Sequence, residues 1–136
     1  AAGFAELTFS DVKKHKGLTI FLTIGTGIGS ALFFNGELIP NTEFGHMYMQ
    51  NGLIGEKYTS DAVRKEQDLD WNEWGKRFNE YLLYLEKLFY PTLFIIGGGT
   101  SKKFDKFEHL LTLKTKVVPA KLLNNAGIIG AALLVK

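Results

Sequence analysis

The residues able to do chemistry in this chain gather in two short stretches. Gly25-Thr26-Gly27-Ile28-Gly29 follows an apolar, β-branched run, Leu18 to Ile24, and precedes a second one, Ala31 to Phe34. Alternating glycines leave backbone N–H groups uncovered, and a nest of such groups beside the Thr26 hydroxyl can hold a phosphate. The same glycines would equally serve a plain bulge or bend between strands. Shortly afterwards, Glu43-Phe44-Gly45-His46 brings a carboxylate and an imidazole into one turn, with Glu56 further along. Carboxylates accept from adjacent hydroxyls and imidazole donates at one nitrogen while accepting at the other, so the set suits a sugar. The three could also be metal ligands, although a zinc site wants three or four with coherent spacing. A phosphate cradle beside hydroxyl-recognising groups implies phosphoryl transfer to a hydroxylated substrate.

A second glycine turn, Gly97-Gly98-Gly99-Thr100-Ser101, follows the apolar Leu93 to Ile96. Ligands gather at the carboxyl ends of strands in open α/β sheets, although a strand-to-helix turn needs the same residues. Neither glycine cluster is a dinucleotide fingerprint or a P-loop. No helix follows Gly29, and the Gly-Lys-Ser/Thr ending is missing. Trp71, Trp74, Tyr81, Tyr84 and Tyr90 could stack on sugar rings, but their helical spacing places them in a core. His15 and His109 lie among lysines and read as solvated.

These stretches need a scaffold. Leu18–Ile24, Ala31–Phe34 and Glu37–Ile39 read as a β-meander, the last two joined by Asn35-Gly36, the strongest two-residue hairpin signal. Residues 47–55 read as irregular and 56–65 as a short helix. The periodicity of Trp71, Trp74, Phe78, Leu82, Leu85 and Phe89 predicts a helix over 71–89. Asp70 as N-cap and Glu73 three residues later complete a capping box. Leu93–Ile96 reads as a buried strand, Phe104–Leu111 as a helix and Lys116–Val118 as a strand. Helices are also expected over about 1–13 and from Asn124 or Asn125 to about Val135. The pattern is mixed α/β.

Composition sets the outer bounds. A chain of 136 residues is one ordinary domain, and folding would bury roughly 70% of its surface. The apolar runs fall well short of the ~20 residues of a membrane span. With no cysteine, disulfides, thiolate metal sites and cysteine nucleophiles are excluded. The net charge of +2 hides an uneven distribution: residues 1–42 balance, 43–90 carry −3 and 91–136 carry +5. The basic last third, with Lys102, Lys103, Lys106, Lys114, Lys116 and Lys121, is a solvated lysine surface or a field for a polyanion. The opening Ala1-Ala2-Gly3-Phe4-Ala5-Glu6, helix-like and without an N-cap, suggests part of a longer protein.

Four segments together resemble the repressor–ORF–kinase (ROK) sugar kinases, and within them the polyphosphate glucokinase branch. They are Leu22-Thr23-Ile24-Gly25-Thr26-Gly27-Ile28-Gly29-Ser30-Ala31-Leu32-Phe33, then Pro40-Asn41-Thr42-Glu43-Phe44-Gly45-His46. Leu93-Phe94-Ile95-Ile96-Gly97-Gly98-Gly99-Thr100-Ser101-Lys102 and Asn124-Asn125-Ala126-Gly127-Ile128-Ile129-Gly130-Ala131-Ala132 follow in the family's order. The resemblance implies an α/β, actin-like, ribonuclease-H-like fold, with residues 1–136 forming a single C-terminal lobe and the N-terminal lobe absent. It implies that Gly25, Thr26, Gly27 and Gly29 form the second phosphate motif, with backbone N–H groups from Gly27 to Gly29 steadying the transferring phosphate. Gly97, Gly98, Gly99 and Lys102 become the donor-phosphate loop, and Glu43, His46 and Glu56 the sugar-hydroxyl ligands. Mg²⁺ with polyphosphate or ATP, glucose as acceptor, a cytoplasmic homodimer, and no nucleic-acid or membrane partner come with the likeness. Many relatives carry a cysteine-rich zinc site after the Gly-His pair. Met47–Gly55 has no cysteine, so no structural zinc is expected.

Two family features are missing. There is no Asp-x-Gly-Gly-Thr phosphate motif and no Asn-Asp pair supplying the general base. In relatives that pair precedes an Ala-Ala-Gly-x-Ala-Glu segment, so the base is expected just upstream of Ala1. The chain alone is therefore expected to be inactive. The alternative within the same superfamily is the sugar-sensing domain of a transcriptional repressor.

Overall fold

The computed structural model describes residues 15–120. The expected first and last helices, Lys121 and the Asn124–Gly127 segment lie outside them. A five-stranded sheet runs in the order β3-β2-β1-β4-β5. Its strands are β1 (Leu18–Ile24), β2 (Ile28–Phe34), β3 (Glu37–Ile39), β4 (Leu93–Gly97) and β5 (Lys116–Pro119). β1, β2 and β3 form the antiparallel meander, while β4 runs parallel to β1 and β5 parallel to β4. The Asn35-Gly36 turn has φ of 52° and 84°, as a type I′ hairpin requires.

The meander differs from expectation at its first turn. β2 begins at Ile28 rather than Ala31, because Ile24 pairs with Ile28 and Thr23 with Gly29. The ladder thus closes around a loop of only Gly25, Thr26 and Gly27. Continuing the pairing through Gly29 satisfies backbone groups that a longer turn would leave open.

Between the meander and β4 the chain forms a helical layer. A 3₁₀ turn at Phe44–His46 precedes α1 (Gly55–Thr59), α2 (Asp61–Glu66) and α3 (Trp71–Phe89). The helix expected over 56–65 is broken at Ser60, whose extended backbone and side-chain oxygen, accepting from Val63 N at 3.2 Å, cap α2. α3 has the expected bounds, and both arms of its capping box form: Glu73 N donates to Asp70 Oδ1 at 2.7 Å and Asp70 N to Glu73 Oε1 at 3.1 Å. The helix expected over 104–111 is α-helical only through α4 (Phe104–Phe107), between 3₁₀ segments at Gly99–Lys103 and Glu108–Leu110.

Alternation along the strands sends side chains to both sheet faces. One face packs Ile20, Leu22, Ile24 and Ile96 against Trp74, Phe78, Leu82, Leu85 and Phe107. The other gathers Phe21, Phe33, Leu93, Ile95 and Val118. The stripe read from the sequence is the buried side of α3, and Trp74 Nε1 donates to Thr59 O at 2.9 Å, tying α3 to the end of α1. Tyr81 is fully buried, whereas Tyr90 is 78% exposed beyond the helix end. No described helix is long and apolar enough to cross a membrane.

Candidate functional site

Parallel pairing of β1 and β4 builds the site. Thr23 stands opposite Gly97, so both strands end at one edge of the sheet and release their glycine turns side by side. Gly98 makes the close approach possible. Its φ is +85°, and a Cβ there would lie 2.5 Å from Ile24 O and 2.9 Å from Ile24 N. Only glycine fits a backbone in that region against another backbone.

Between the turns lies an open cleft of about 420 Å³, lined by residues 23–29, Gly98, Gly99 and Glu56. A Cβ on Gly25 or Gly99 would meet nothing among the described residues within 4 Å, so main chain is bared to the cleft at both. Within the turn, Gly25 N donates to Gly27 O at 2.9 Å, and Gly25 O accepts from Asp61 N and Ala62 N at 3.0 and 3.2 Å. The first N–H groups of α2 are thereby satisfied by the hairpin. Among the described residues the N–H groups of Thr26 and Gly27 have no backbone acceptor. Ile28 N–H is different: it donates to Glu56 Oε1 at 3.1 Å.

Glu56 is therefore part of the hairpin's support. It sits half-buried at the start of α1, with Gly27 and Gly45 against its carboxylate. A Cβ on Gly27 would be 2.8 Å from Glu56 Oε1, and one on Gly45 would be 3.0 Å from the same oxygen and 2.7 Å from Ile28 O. Gly55 N donates to Met47 O at 2.7 Å, and a Cβ on Gly55 would strike the Tyr81 ring at 2.6 Å. Burial, with the Glu56 charge as a smaller cause, pushes the Tyr81 phenol far above its ordinary value. Its hydroxyl is buried without a hydrogen-bond partner among the described residues.

The segment carrying Glu43 and His46 is fixed through Ser30 on β2. Ser30 Oγ donates to Thr42 O at 3.0 Å and accepts from Phe44 N at 3.1 Å. Glu43 and His46 are exposed at either end of the 3₁₀ turn, joined by His46 N donating to Glu43 O at 3.0 Å. They do not line the cleft, but Gly45 between them abuts Glu56 and Ile28.

The structure thus brings Gly25, Thr26, Gly27, Gly29, Gly98, Gly99 and Glu56 together around one cleft. Gly97 lies apart, buried as the last residue of β4, where a Cβ would meet the Phe21 ring at 3.2 Å. Lys102 projects to solvent from the 3₁₀ segment, and among the described residues no lysine or arginine lines the cleft. His15, expected to be solvated, is half-buried with Nε2 2.9 Å from Thr92 Oγ1. The described residues contain no group of three His, Asp or Glu side chains able to hold a metal ion. Sequence reasoning missed Ser30 and the bond from Ile28 to Glu56. The glycines flanking Glu56 are the available signal, since a carboxylate packed against backbone needs small neighbours.

No protein-family model matches the chain. A polyphosphate glucokinase of Mycobacterium tuberculosis (strain CDC 1551 / Oshkosh) is 47% identical over 133 residues, 98% of this chain and 50% of that protein. The chain is a homologue of the polyphosphate glucokinases. It spans about half the length of the curated relatives it matches. The crystal structure of an inorganic polyphosphate/ATP-glucomannokinase from Arthrobacter sp. strain KM superposes with a TM-score of 0.80 at 45% identity, over 86% of this chain and 46% of that one. A ROK family glucokinase from Streptomyces griseus, solved with glucose and AMPPNP, gives a TM-score of 0.66 at 21% identity, over 87% of this chain and 60% of its own. The expected fold is thereby established: it is that of the actin-like ROK sugar kinases.

Proposed function

We propose that residues 1–136 form the C-terminal lobe of a glucokinase that transfers a phosphoryl group from polyphosphate or ATP to glucose. The observation carrying this reading is the convergence of the two glycine turns on one cleft at the carboxyl ends of β1 and β4, with Glu56 beside them. Phosphoryl transfer is mostly positioning and electrostatic stabilisation, and uncovered main-chain N–H groups supply both. In this reading the Thr26 and Gly27 N–H groups and the Thr26 hydroxyl face a phosphate, and the Gly98–Gly99 turn lies along the donor. Ile28 N–H, already donating to Glu56, contributes only through the hairpin's shape. Glu43, His46 and the remaining oxygen of Glu56 receive the sugar hydroxyls. Lys102 and Lys103, exposed just beyond the cleft, attract an extended polyanion rather than grip its reacting end. Homology to the polyphosphate glucokinases supports the same substrates.

Proton removal from the sugar hydroxyl requires a base within hydrogen-bond reach. Glu56 is the sole carboxylate among the described residues lining the cleft, and one of its oxygens accepts from Ile28 N–H. The base, and Asp-x-Gly-Gly-Thr chemistry on the donor, belong in this reading to a second lobe. The 136-residue chain should bind glucose but form no glucose 6-phosphate with either donor. Calorimetry with glucose, repeated on Glu43→Ala and His46→Ala, together with a coupled assay for glucose 6-phosphate, tests this. Absence of glucose binding, or turnover above blank, refutes it. A repressor-type sensor is separated by joining the chain to a ROK kinase N-terminal lobe: it would bind glucose and still give no product.

A further inference from the structure

Glu56 makes a contact that sugar recognition does not require. Its Oε1 accepts from Ile28 N–H at 3.1 Å, at the residue where the Gly25–Gly27 loop rejoins the sheet. The carboxylate is wedged between Gly27 on the hairpin and Gly45 on the neighbouring 3₁₀ turn, and a Cβ at either would come within 3.0 Å of Oε1. Gly45 is also seated on Ile28 O, which a Cβ would approach to 2.7 Å. Three separate segments therefore meet at one carboxylate oxygen and the backbone of one residue, Ile28. By charge alone this is the wrong residue to line an anion cleft, because a carboxylate repels phosphate.

We infer that Glu56 is a positioning residue for the phosphoryl donor: through Ile28 N–H and Gly45 it fixes the hairpin in its anion-binding shape. This rests on the reading of the hairpin as a phosphate site. A charge-assisted hydrogen bond to a backbone N–H is among the stronger neutral-pH contacts available. It holds the peptide immediately after Gly27, so the direction of the Thr26 and Gly27 N–H groups follows from it. The benefit to an anion of aimed donors must exceed the repulsion from the carboxylate. That balance gives charge and position opposite signs, and the two can be measured apart.

The test uses the 136-residue chain with tripolyphosphate as probe, titrated by backbone amide NMR, alongside amide hydrogen exchange without ligand. Glu56→Gln keeps an acceptor oxygen for Ile28 N–H and removes the charge; its Ile28 amide should stay protected and tripolyphosphate should bind more tightly. Glu56→Ala removes the acceptor, and Gly45→Ala pushes on both Ile28 O and Glu56 with the charge kept. Both should speed exchange at Ile28 and weaken tripolyphosphate binding roughly ten-fold, the equivalent of one lost charge-assisted bond. Circular dichroism checks that each variant is folded, and Glu56→Ala carries the test if Gly45→Ala is not. Tighter binding in Glu56→Ala, or binding unchanged in it, refutes the positioning role and leaves the phosphate reading standing. No tripolyphosphate binding to the wild-type chain refutes the phosphate reading and this inference with it.

Discussion

Replacing Gly98 by alanine tests whether the meeting of the two turns is as tight as described. The residue has φ 85° and ψ −174°, a region that is essentially glycine-only, where another residue costs about 1–3 kcal/mol in strain. The added methyl must also part from Ile24 O and Ile24 N, at 2.5 and 2.9 Å. Those are backbone atoms in the last paired residue of β1, so no side chain can swing aside to relieve the contact. Overpacking of that kind adds about 1–3 kcal/mol, and the combined loss should be about 3 kcal/mol. For a chain of 136 residues at ~3–5 °C per kcal/mol, the melting midpoint should fall by about 10 °C. Gly99→Ala is the control, since a Cβ there meets nothing within 4 Å. Its stability should stay within about 0.5 kcal/mol of wild type, as for other surface changes. Urea unfolding followed by tryptophan fluorescence measures both. Equal stability of Gly98→Ala and Gly99→Ala would mean that the turns do not press on each other, and the cleft as described would be wrong.

The helical layer gives three further expectations. Asp70→Ala removes the capping-box acceptor of α3 and should cost about 1 kcal/mol by urea unfolding; no change would show the cap to be idle. Tyr81→Phe removes a buried hydroxyl without a partner among the described residues, so it should be neutral or stabilising by up to about 1 kcal/mol. Burial raises the Tyr81 phenol above its ordinary 10.0; burial, and then the bond its hydroxyl donates to Glu80 Oε1 at 2.9 Å, raise Tyr58 on α1. The unfolded chain therefore ionises first: stability should be full below about pH 10 and fall as pH rises beyond it. Tyr81→Phe should shrink that fall, and an unaltered alkaline slope would contradict the assigned burial.

Features written in neighbouring residues were legible from sequence. The bounds of α3 follow from a capping box and a stripe repeating at three and four, both local. Asn35-Gly36 carries its turn in two residue types. Features that depend on register were not. β2 starts at Ile28 because Ile24 lies opposite it, a pairing invisible in a glycine-rich run. Ser60 could have been read as a cap, since Ser-Asp is a good helix start; the apolar pattern running through it hid the break. For the site, residue types could nominate both glycine turns and Glu56, but not that β1 and β4 end together. Nor could they place Gly97 inside β4 rather than in the turn, because a strand can carry glycine wherever a neighbouring ring, here Phe21, leaves no room for more.

The Gly25 carbonyl that receives Asp61 and Ala62 N–H has a consequence for the order of folding. The β1–β2 hairpin is local and can zip early, whereas its tip acquires both partners only when the start of α2 arrives from a distant part of the chain. The cleft should therefore be completed late, after the helical layer docks. Partial opening of α2 would dissolve it while the sheet survives. On the proposed reading of the cleft as an anion site, loss of binding under mild denaturant should precede loss of the sheet's circular-dichroism signal, so that binding would report on the helical layer's integrity.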